Sequence, residues 1–174
     1  CVRKICRIEC SAGEGKALEA EVASLARRLH STPASLVHRD LQSQNVMIRG
    51  GEPFLIDFQG MRFGSPFYDL GSLLYDPYVD LREEECAILL SYYFDLSRSA
   101  SGWDEFRELF FLASTQRLMQ VLGAYGFLGL EQAKPHFLAH IPTALDRLVD
   151  VTGRTGSFPQ LHALARRCRA SIGV

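Results

Sequence analysis

The chain has 174 residues, of which 47% are hydrophobic and 22% are charged, and its formal net charge is −1. This is the composition of an ordinary globular protein, long enough for one domain that buries about 70% of the surface of its unfolded chain. A nearly neutral chain gives no electrostatic reason to expect a nucleic-acid or membrane-surface partner, and no apolar stretch reaches the length of a membrane span.

The cysteines and the N-terminus favour a cytoplasmic protein. The five cysteines are odd in number and include no C-x-x-C pair, so the sequence favours ordinary thiols over a zinc site or a disulfide framework. The first residues lack the long apolar core of a signal peptide. We therefore expect a single domain over residues 1–174 in the cytoplasm.

Helical periodicity dominates the chain, so the predicted fold class is α+β and mainly α. Residues 13–17 read as a loop that initiates the first helix, and three glycines after residue 122 are expected to loosen the chain. Pro142 is expected to kink or split its helix. The predicted helices cover residues 17–30, 68–76, 83–94, 104–122, 134–150 and 161–171, with a polar linker at 97–102 and a loop at 153–159.

Oxygen-bearing side chains follow the first predicted helix at fixed spacing. His38-Arg39-Asp40-Leu41-Gln42-Ser43-Gln44-Asn45 is followed by Ile56-Asp57-Phe58-Gln59. An Asp, an Asn five residues later and a second Asp across a short hairpin are the groups that a protein-kinase-type active site needs. The alternative interpretation is a polar turn before a hairpin.

The hairpin brings two of these groups together. Gly50-Gly51 separates two β-favouring runs, and glycines at both central positions favour a two-residue hairpin loop. In that register Asn45 pairs with Ile56 and lies beside Asp57, so an amide oxygen and a carboxylate could bind one hard cation. Asp40 precedes the hairpin closely enough to face a phosphate ligand of that ion.

These segments, with those that follow them, resemble the C-terminal lobe of the aminoglycoside phosphotransferase and choline kinase family, which shares the protein-kinase fold. The similarity is greatest to the bacterial anomeric kinases of N-acetylmuramate and N-acetylglucosamine. The further segments that carry it are Gly64-Ser65-Pro66-Phe67-Tyr68-Asp69-Leu70-Gly71-Ser72-Leu73-Leu74-Tyr75-Asp76, Gln116-Arg117-Leu118-Met119-Gln120-Val121-Leu122-Gly123-Ala124-Tyr125 and Ile141-Pro142.

The resemblance implies an ATP-dependent, Mg²⁺-dependent kinase that phosphorylates a hydroxyl group of a small molecule, most closely an amino sugar. It implies that Asp40 orients the acceptor hydroxyl and takes its proton, and that Asn45 and Asp57 bind Mg²⁺ at the nucleotide phosphates. His38 and Arg39 are expected to organise the loop rather than to contact the substrate. With these roles, the small hairpin carries the predicted metal ligands.

Other polar residues near the motif are further candidates. Asp69 could be the N-cap of the helix after Tyr68, or, as the resemblance implies, a carboxylate that accepts hydrogen bonds from the loop backbone, and both roles can hold together. Asp76 could reach the substrate, although a solvated helix end before Pro77 is favoured. Arg117, with Gln116, could contact a sugar, although a surface stripe is favoured. Gln59, a possible substrate contact, stands where the relatives tend to carry an acidic residue, so the acceptor is left open.

Part of a kinase has no counterpart in this sequence. No glycine-rich strand turn, strand lysine or helix glutamate precedes Asp40, and Gly13-Glu14-Gly15-Lys16-Ala17 lacks the spacing of a phosphate-binding loop. We therefore expect the nucleotide-binding N-terminal lobe to be absent, and the chain alone to be inactive without it. The alternatives are a phosphotransferase for an aminoglycoside, choline or homoserine, and a non-catalytic kinase-like binding domain.

Overall fold

The protein is described here by a computed structural model that covers residues 1–98 and 101–172. It is mostly helical with two small antiparallel sheets, which confirms the predicted mainly α, α+β class. The helices are α1 (Ala12–His30), α2 (Phe67–Leu74), α3 (Glu83–Ser97), α4 (Trp103–Leu130), α5 (Ile141–Thr155) and α6 (Pro159–Ser171). The strands are β1 (Ser35–Val37), β2 (Val46–Arg49), β3 (Glu52–Leu55) and β4 (Arg62–Gly64).

Helix α1 begins earlier than the sequence predicts. The backbone N–H of Glu14 donates to Ser11 Oγ at 3.2 Å, and the backbone N–H of Ser11 donates to Glu14 Oε2 at 2.7 Å. This capping box stabilises the first turn, and its contribution outweighs the cost of Gly13 and Gly15 within the helix. The predicted loop at residues 13–17 is therefore wrong.

Helix α4 runs to Leu130, so the predicted end near residue 122 is also wrong. Two of its glycines, Gly126 and Gly129, serve close packing instead of breaking the helix. A Cβ atom on Gly129 would lie 2.3 Å from Leu138 Cδ2, and one on Gly126 would lie 3.4 Å from the backbone nitrogen of Cys1. Tertiary contacts therefore compensate for the low helix propensity of glycine.

The last third of the chain is divided into two helical segments near Pro142, as the sequence predicts. A 3-10 helix covers Pro135–His140, and α5 begins at Ile141 with Pro142 in its first turn, which confirms the split. Helix α5 continues through Gly153 and ends at Thr155, where Gly156, with a φ of 59° in the left-handed region, caps it. In the predicted linker, Ser97 belongs to α3, and residues 99–100 lie outside the described residues.

Helix α4 is the centre of the molecule. It packs against both α2 and α5, and its Phe106 and Phe110 are among the most deeply buried side chains. Burial of each such aromatic ring contributes about 1.5–3 kcal/mol to the free energy of unfolding. The N-terminal segment also packs on this core through Cys6. No helix in the described parts of the chain has the length and apolar content to cross a membrane.

The two sheets flank the loop that carries the motif. Strands β2 and β3 form the predicted hairpin, with Arg49 opposite Glu52 and Met47 opposite Phe54. Strands β1 and β4 form a second antiparallel pair that the sequence did not indicate. This second pair places the segment after Asp57 next to the segment before His38.

Candidate active site

Asp69 fixes the beginning of the motif loop. It is the third residue of α2, and its carboxylate accepts hydrogen bonds from the backbone N–H of His38 at 2.6 Å and of Arg39 at 2.9 Å. The N-cap position of α2 belongs to Pro66, so the N-cap interpretation of Asp69 is wrong. The contacts are those that the resemblance implied, and they hold the backbone on both sides of the His38–Arg39 peptide bond.

Asp76 fixes the other half of the same loop. Only 2% of the residue is exposed, and its carboxylate accepts hydrogen bonds from the backbone N–H of Ser43 at 2.7 Å and of Tyr78 at 2.9 Å. The predicted solvated helix end is therefore wrong, and a contact of Asp76 with a substrate stays a prediction. Asp69 and Asp76 together hold the loop through charge-assisted hydrogen bonds, which are stronger than neutral ones.

His38 and Arg39 connect the loop to the segment that follows β3. His38 is buried, and its Nε2 lies 2.9 Å from the carbonyl oxygen of Ile56, to which it donates. Arg39 has a φ of 73°, and its Nη1 donates to the carbonyl oxygen of Gly60 at 3.3 Å. A left-handed φ is uncommon for any residue with a Cβ atom, and such residues cluster at functional sites.

Asn45 lies directly beside Asp40. Its Nδ2 donates to the backbone oxygen of Asp40 at 2.8 Å and lies 3.3 Å from Asp40 Oδ2. The backbone N–H of Ile56 donates to the Asn45 carbonyl oxygen at 3.0 Å, as the predicted register requires. The amide nitrogen of Asn45 therefore faces Asp40, and its amide oxygen is left for another ligand.

Asp57 follows Ile56, whose backbone N–H donates to Asn45, and it adopts an unusual backbone conformation. It has φ 62° and ψ 38°, and its Oδ1 accepts a hydrogen bond from Gln59 Nε2. The amide nitrogen of Gln59 is thus engaged by Asp57, and a contact of Gln59 with a substrate stays a prediction. The exposed carboxylate of Asp57 and the amide oxygen of Asn45 are the hard ligands that Mg²⁺ prefers.

The oxygen donors fit a cation that brings ligands of its own. In residues 1–98 and 101–172 no group of three or more His, Cys, Asp or Glu side chains is placed to hold a metal ion. Mg²⁺ commonly binds to one or two protein groups and completes its shell with water and substrate phosphates. The assignment of Asn45 and Asp57 as metal ligands stays a prediction that this donor chemistry supports.

Arg117 contacts Asp40, and the surface-stripe interpretation of this arginine is wrong. Its side chain is 14% exposed, and its Nη2 donates to Asp40 Oδ1 at 2.8 Å. Its Nη1 donates to the hydroxyl of Tyr68 at 3.4 Å, and that hydroxyl donates to Gln120 Oε1. Burial opposes the charge of Arg117, but the contacts with Tyr68 and Asp40 prevail and raise its pKa.

Sequence reasoning missed Tyr68 and Gln120 as members of this chain of hydrogen bonds. The only local signal was that Gln116, Arg117 and Gln120 interrupt an apolar run on one side of α4. Arg117 and Gln120 are three residues apart, so their side chains lie on the same face of α4 and can share a partner. That partner is Tyr68, near the start of α2.

Comparison with known proteins agrees with the geometry. Residues 3–109 match the Phosphotransferase enzyme family (APH). The chain is 32% identical over 148 residues to a protein named N-acetylmuramate/N-acetylglucosamine kinase from Neisseria meningitidis serogroup B. It is 26% identical to proteins of the same name from Pseudomonas putida, over 143 residues, and from Pseudomonas aeruginosa, over 145 residues.

The matches cover most of this chain but a smaller part of the relatives. They include 82%, 79% and 80% of this chain and 44%, 42% and 43% of the respective relatives. The chain thus spans less than half the length of the curated relatives it matches. The family match covers more than half of the chain, and the chain belongs to the phosphotransferase enzyme family.

Proposed function

We propose that this chain is the catalytic and acceptor-binding part of an ATP-dependent kinase that phosphorylates a hydroxyl group of an amino sugar. The acceptor class is that of N-acetylmuramate and N-acetylglucosamine, which the names of the relatives supply. The observation that carries the proposal is the placement of Asp40. Its carboxylate stands beside Asn45 in a loop that Asp69 and Asp76 hold through backbone hydrogen bonds.

Asp40 would orient the acceptor hydroxyl and accept its proton. One carboxylate oxygen, Oδ1, is held by Arg117, and Oδ2 lies beside the Asn45 amide, so the carboxylate has a defined orientation before a substrate arrives. Phosphoryl transfer proceeds through a loose transition state, in which positioning and charge neutralisation matter more than a strong base. A carboxylate that accepts the proton late in the transfer suits this requirement.

Asn45 and Asp57 would hold Mg²⁺. When it is bound, the ion would neutralise the negative charge of the nucleotide phosphates. The chain's own contribution is to supply two oxygen donors from neighbouring positions at the open end of the hairpin. The left-handed backbone of Asp57 sets the direction of its carboxylate, at a cost of about 1–3 kcal/mol that the surrounding contacts offset.

We propose further that the nucleotide is bound with the help of groups from outside this chain. The relatives are more than twice as long as the region they share with it. The proposal is also supported by exposed apolar side chains on both sheets, among them Ile48, Phe54 and Phe63, which are available to pack against another part of the protein. Dependence on ATP supports a cytoplasmic location.

The test is an acceptor panel with the full-length protein that carries this chain. Amino sugars, aminoglycosides, choline and homoserine are each incubated with ATP and Mg²⁺, and ADP release is measured. We expect ADP release with N-acetylmuramate or N-acetylglucosamine. Turnover with only an aminoglycoside or a small alcohol would replace the proposed acceptor, and no turnover with any acceptor would reject the kinase assignment. The 174-residue chain alone is expected to release little or no ADP.

A further inference from the structure

A cavity of about 450 Å³ lies beside the motif loop, between α1, the β1–β4 pair, the start of α2 and α4. Small-molecule sites are typically clefts of about 300–1,000 Å³. The cavity wall includes Arg39, which directly precedes Asp40 in the chain. The cavity is therefore large enough for a small molecule, and its wall includes the residue before Asp40, although Asp40 itself does not line it.

The charge of this cavity is positive. Arg39 and Arg62 line it, and no Asp or Glu side chain is among its lining residues. Neither arginine forms an ion pair with a carboxylate within the described ranges. Arg39 uses only one guanidinium nitrogen in its hydrogen bond to Gly60. Each guanidinium group thus keeps hydrogen-bond donors for an anion, and the planar fork of arginine matches a carboxylate.

A second and larger cavity offers a contrast. It measures about 720 Å³, and Arg107, Arg147 and Arg154 line it. Each of these arginines already pairs with a carboxylate: Arg107 with Asp104, Arg147 with Asp80, and Arg154 with both Asp150 and Glu83. The positive charges of those three arginines are therefore neutralised by carboxylates, unlike the charges of Arg39 and Arg62.

The rest of the smaller cavity suits a hydroxylated ring. Gln116 and Gln120 supply amide groups, and Tyr68 supplies a hydroxyl. Leu29 and Phe63 supply apolar surface. A wall that mixes amides, a hydroxyl and apolar side chains can contact both the polar edge and the apolar face of a sugar.

The cavity is coupled to Asp40 by one side chain. Tyr68 lines the cavity, and its hydroxyl accepts a hydrogen bond from Arg117 at 3.4 Å. The same guanidinium donates to Asp40 Oδ1 at 2.8 Å. A ligand that contacts Tyr68 is therefore linked through the single side chain of Arg117 to the carboxylate of Asp40, which would receive the proton of the acceptor hydroxyl.

We propose that this cavity receives the acceptor and that Arg39 and Arg62 bind a carboxylate on it. The inference rests on the proposed function and specifies the acceptor: the enzyme prefers an amino sugar that carries a carboxylate. N-acetylmuramate has a lactic acid group that N-acetylglucosamine lacks, so these two sugars differ by the negative charge that the arginines would recognise.

The experiment measures the binding of both sugars to the full-length protein by isothermal titration calorimetry, without nucleotide. We expect N-acetylmuramate to bind roughly tenfold more tightly than N-acetylglucosamine, as one charge-assisted hydrogen-bonded pair would give. In Arg62→Gln the ratio of the two affinities should fall towards one. Arg49→Gln removes an arginine from β2 outside the cavity and should leave the ratio unchanged.

Equal affinities in the unmodified protein would overturn the proposal, and so would equal effects of the Arg62 and Arg49 variants. If Arg62→Gln fails to fold, NMR of the unmodified protein decides instead. The amide signals of Ala34 and Gly64, in the cavity wall, must shift with N-acetylmuramate, and unmoved signals reject the site. If the protein binds both sugars with equal affinity and phosphorylates both, the acceptor site is rejected and the kinase assignment remains. If it phosphorylates neither sugar, both the kinase assignment and the acceptor site are rejected.

Discussion

At the scale of single residues, the structure assigns two aspartates to the support of a third. Asp69 and Asp76 each accept two backbone N–H groups, and three of these four donors belong to the loop around Asp40. Removal of a buried acceptor leaves its donors unsatisfied, which costs more than the hydrogen bond itself contributes. The stability of the loop should therefore depend on these carboxylates.

We predict that Asp76→Ala lowers the free energy of unfolding by about 2–4 kcal/mol, because two backbone N–H groups lose their acceptor in a buried place. Urea denaturation, followed by circular dichroism, measures the change. The matched control is Asp80→Ala, whose side chain is fully exposed and pairs with Arg147 at the surface, so little or no loss is expected. Equal losses in the two variants would contradict the assigned role of Asp76.

We predict that Arg117→Met in the full-length protein lowers kcat by about 10–100-fold, because Asp40 loses the donor that orients its carboxylate. The KM for ATP should change little, since Arg117 contacts Asp40 and Tyr68 rather than the hairpin. Arg107→Met is the control on the same helix, and it should retain kcat. A rise in the KM for ATP at constant kcat would show that Arg117 acts in nucleotide binding instead.

The roles of some single residues could be predicted from the sequence, and those of others could not. The spacing of Asp40, Asn45 and Asp57 sufficed to propose the site, because a tight hairpin converts that spacing into neighbouring positions. The roles of Asp76 and Arg117 depend on partners 33 and 77 residues away in the chain. No local pattern reports such contacts, so both residues were assigned to the surface.

At the scale of elements, the close packing of α2 on α4 helps to hold the loop that carries Asp40 in position. A Cβ atom on Gly71 would lie 2.6 Å from Ser114 Oγ and 3.0 Å from Ser114 Cα, so the two helices approach each other where Gly71 has no side chain. Helix α2 carries Asp69, and Asp76 follows at its end. The distance between α2 and α4 therefore helps to set the position of the loop.

We predict that Gly71→Ala lowers the free energy of unfolding by about 1–3 kcal/mol, because the added methyl group overpacks the contact with Ser114. Gly123→Ala in α4 is the control, since no atom lies within 4 Å of its Cβ position. Alanine there should raise the free energy of unfolding by up to about 1 kcal/mol through its higher helix propensity. Thermal denaturation of both variants measures the difference, and destabilisation by Gly123→Ala would contradict it.

Elements were predictable where the signal was local. Gly50-Gly51 identified the hairpin and its register, and Pro142 identified the division before α5. The pairing of β1 with β4 was not predicted, because two strands of three residues each, with no connecting turn, leave no periodic pattern. The extension of α4 through its glycines was also missed, since it depends on contacts with Cys1 and Leu138.

At the scale of the whole molecule, two tyrosines are buried in the helical core. Burial raises the pKa of Tyr75, with a further contribution from the adjacent Asp150. Burial also raises the pKa of Tyr125, which has Tyr78 beside it. Both groups therefore keep their protons in the folded protein at a pH where the unfolded chain loses them.

We predict that stability falls at alkaline pH. Below a pH of about 10, tyrosine is protonated in both states and contributes no pH dependence. Above it, the unfolded chain releases protons first, so the free energy of unfolding falls by about 1.4 kcal/mol per pH unit for each buried tyrosine. Urea denaturation between pH 8 and 11 measures this slope. Tyr75→Phe should reduce the slope, and an unchanged slope would contradict the assignment.

The fold class and the family could be predicted from the sequence because they depend on patterns that extend over the whole chain. Helical periodicity indicated the mainly α body, and the motif segments indicated the phosphotransferase family. The basic cavity beside Asp40 could not be predicted, because its wall combines residues from α1, β1, β4, α2 and α4. Only the folded arrangement places Arg39, Arg62 and Tyr68 in the wall of one cavity.

The most direct test of the central claim compares Asp40→Asn with Asp57→Ala in the full-length protein. Sugar-dependent ADP release gives kcat, and titration with Mg²⁺ and a non-hydrolysable ATP analogue gives the nucleotide affinity. We predict that Asp40→Asn lowers kcat by about 10²–10⁴-fold and retains nucleotide affinity, because it removes the proton acceptor only. Asp57→Ala should weaken the binding of the Mg²⁺-nucleotide itself. Equal effects of the two variants on nucleotide affinity would contradict the division of roles on which the proposed site depends.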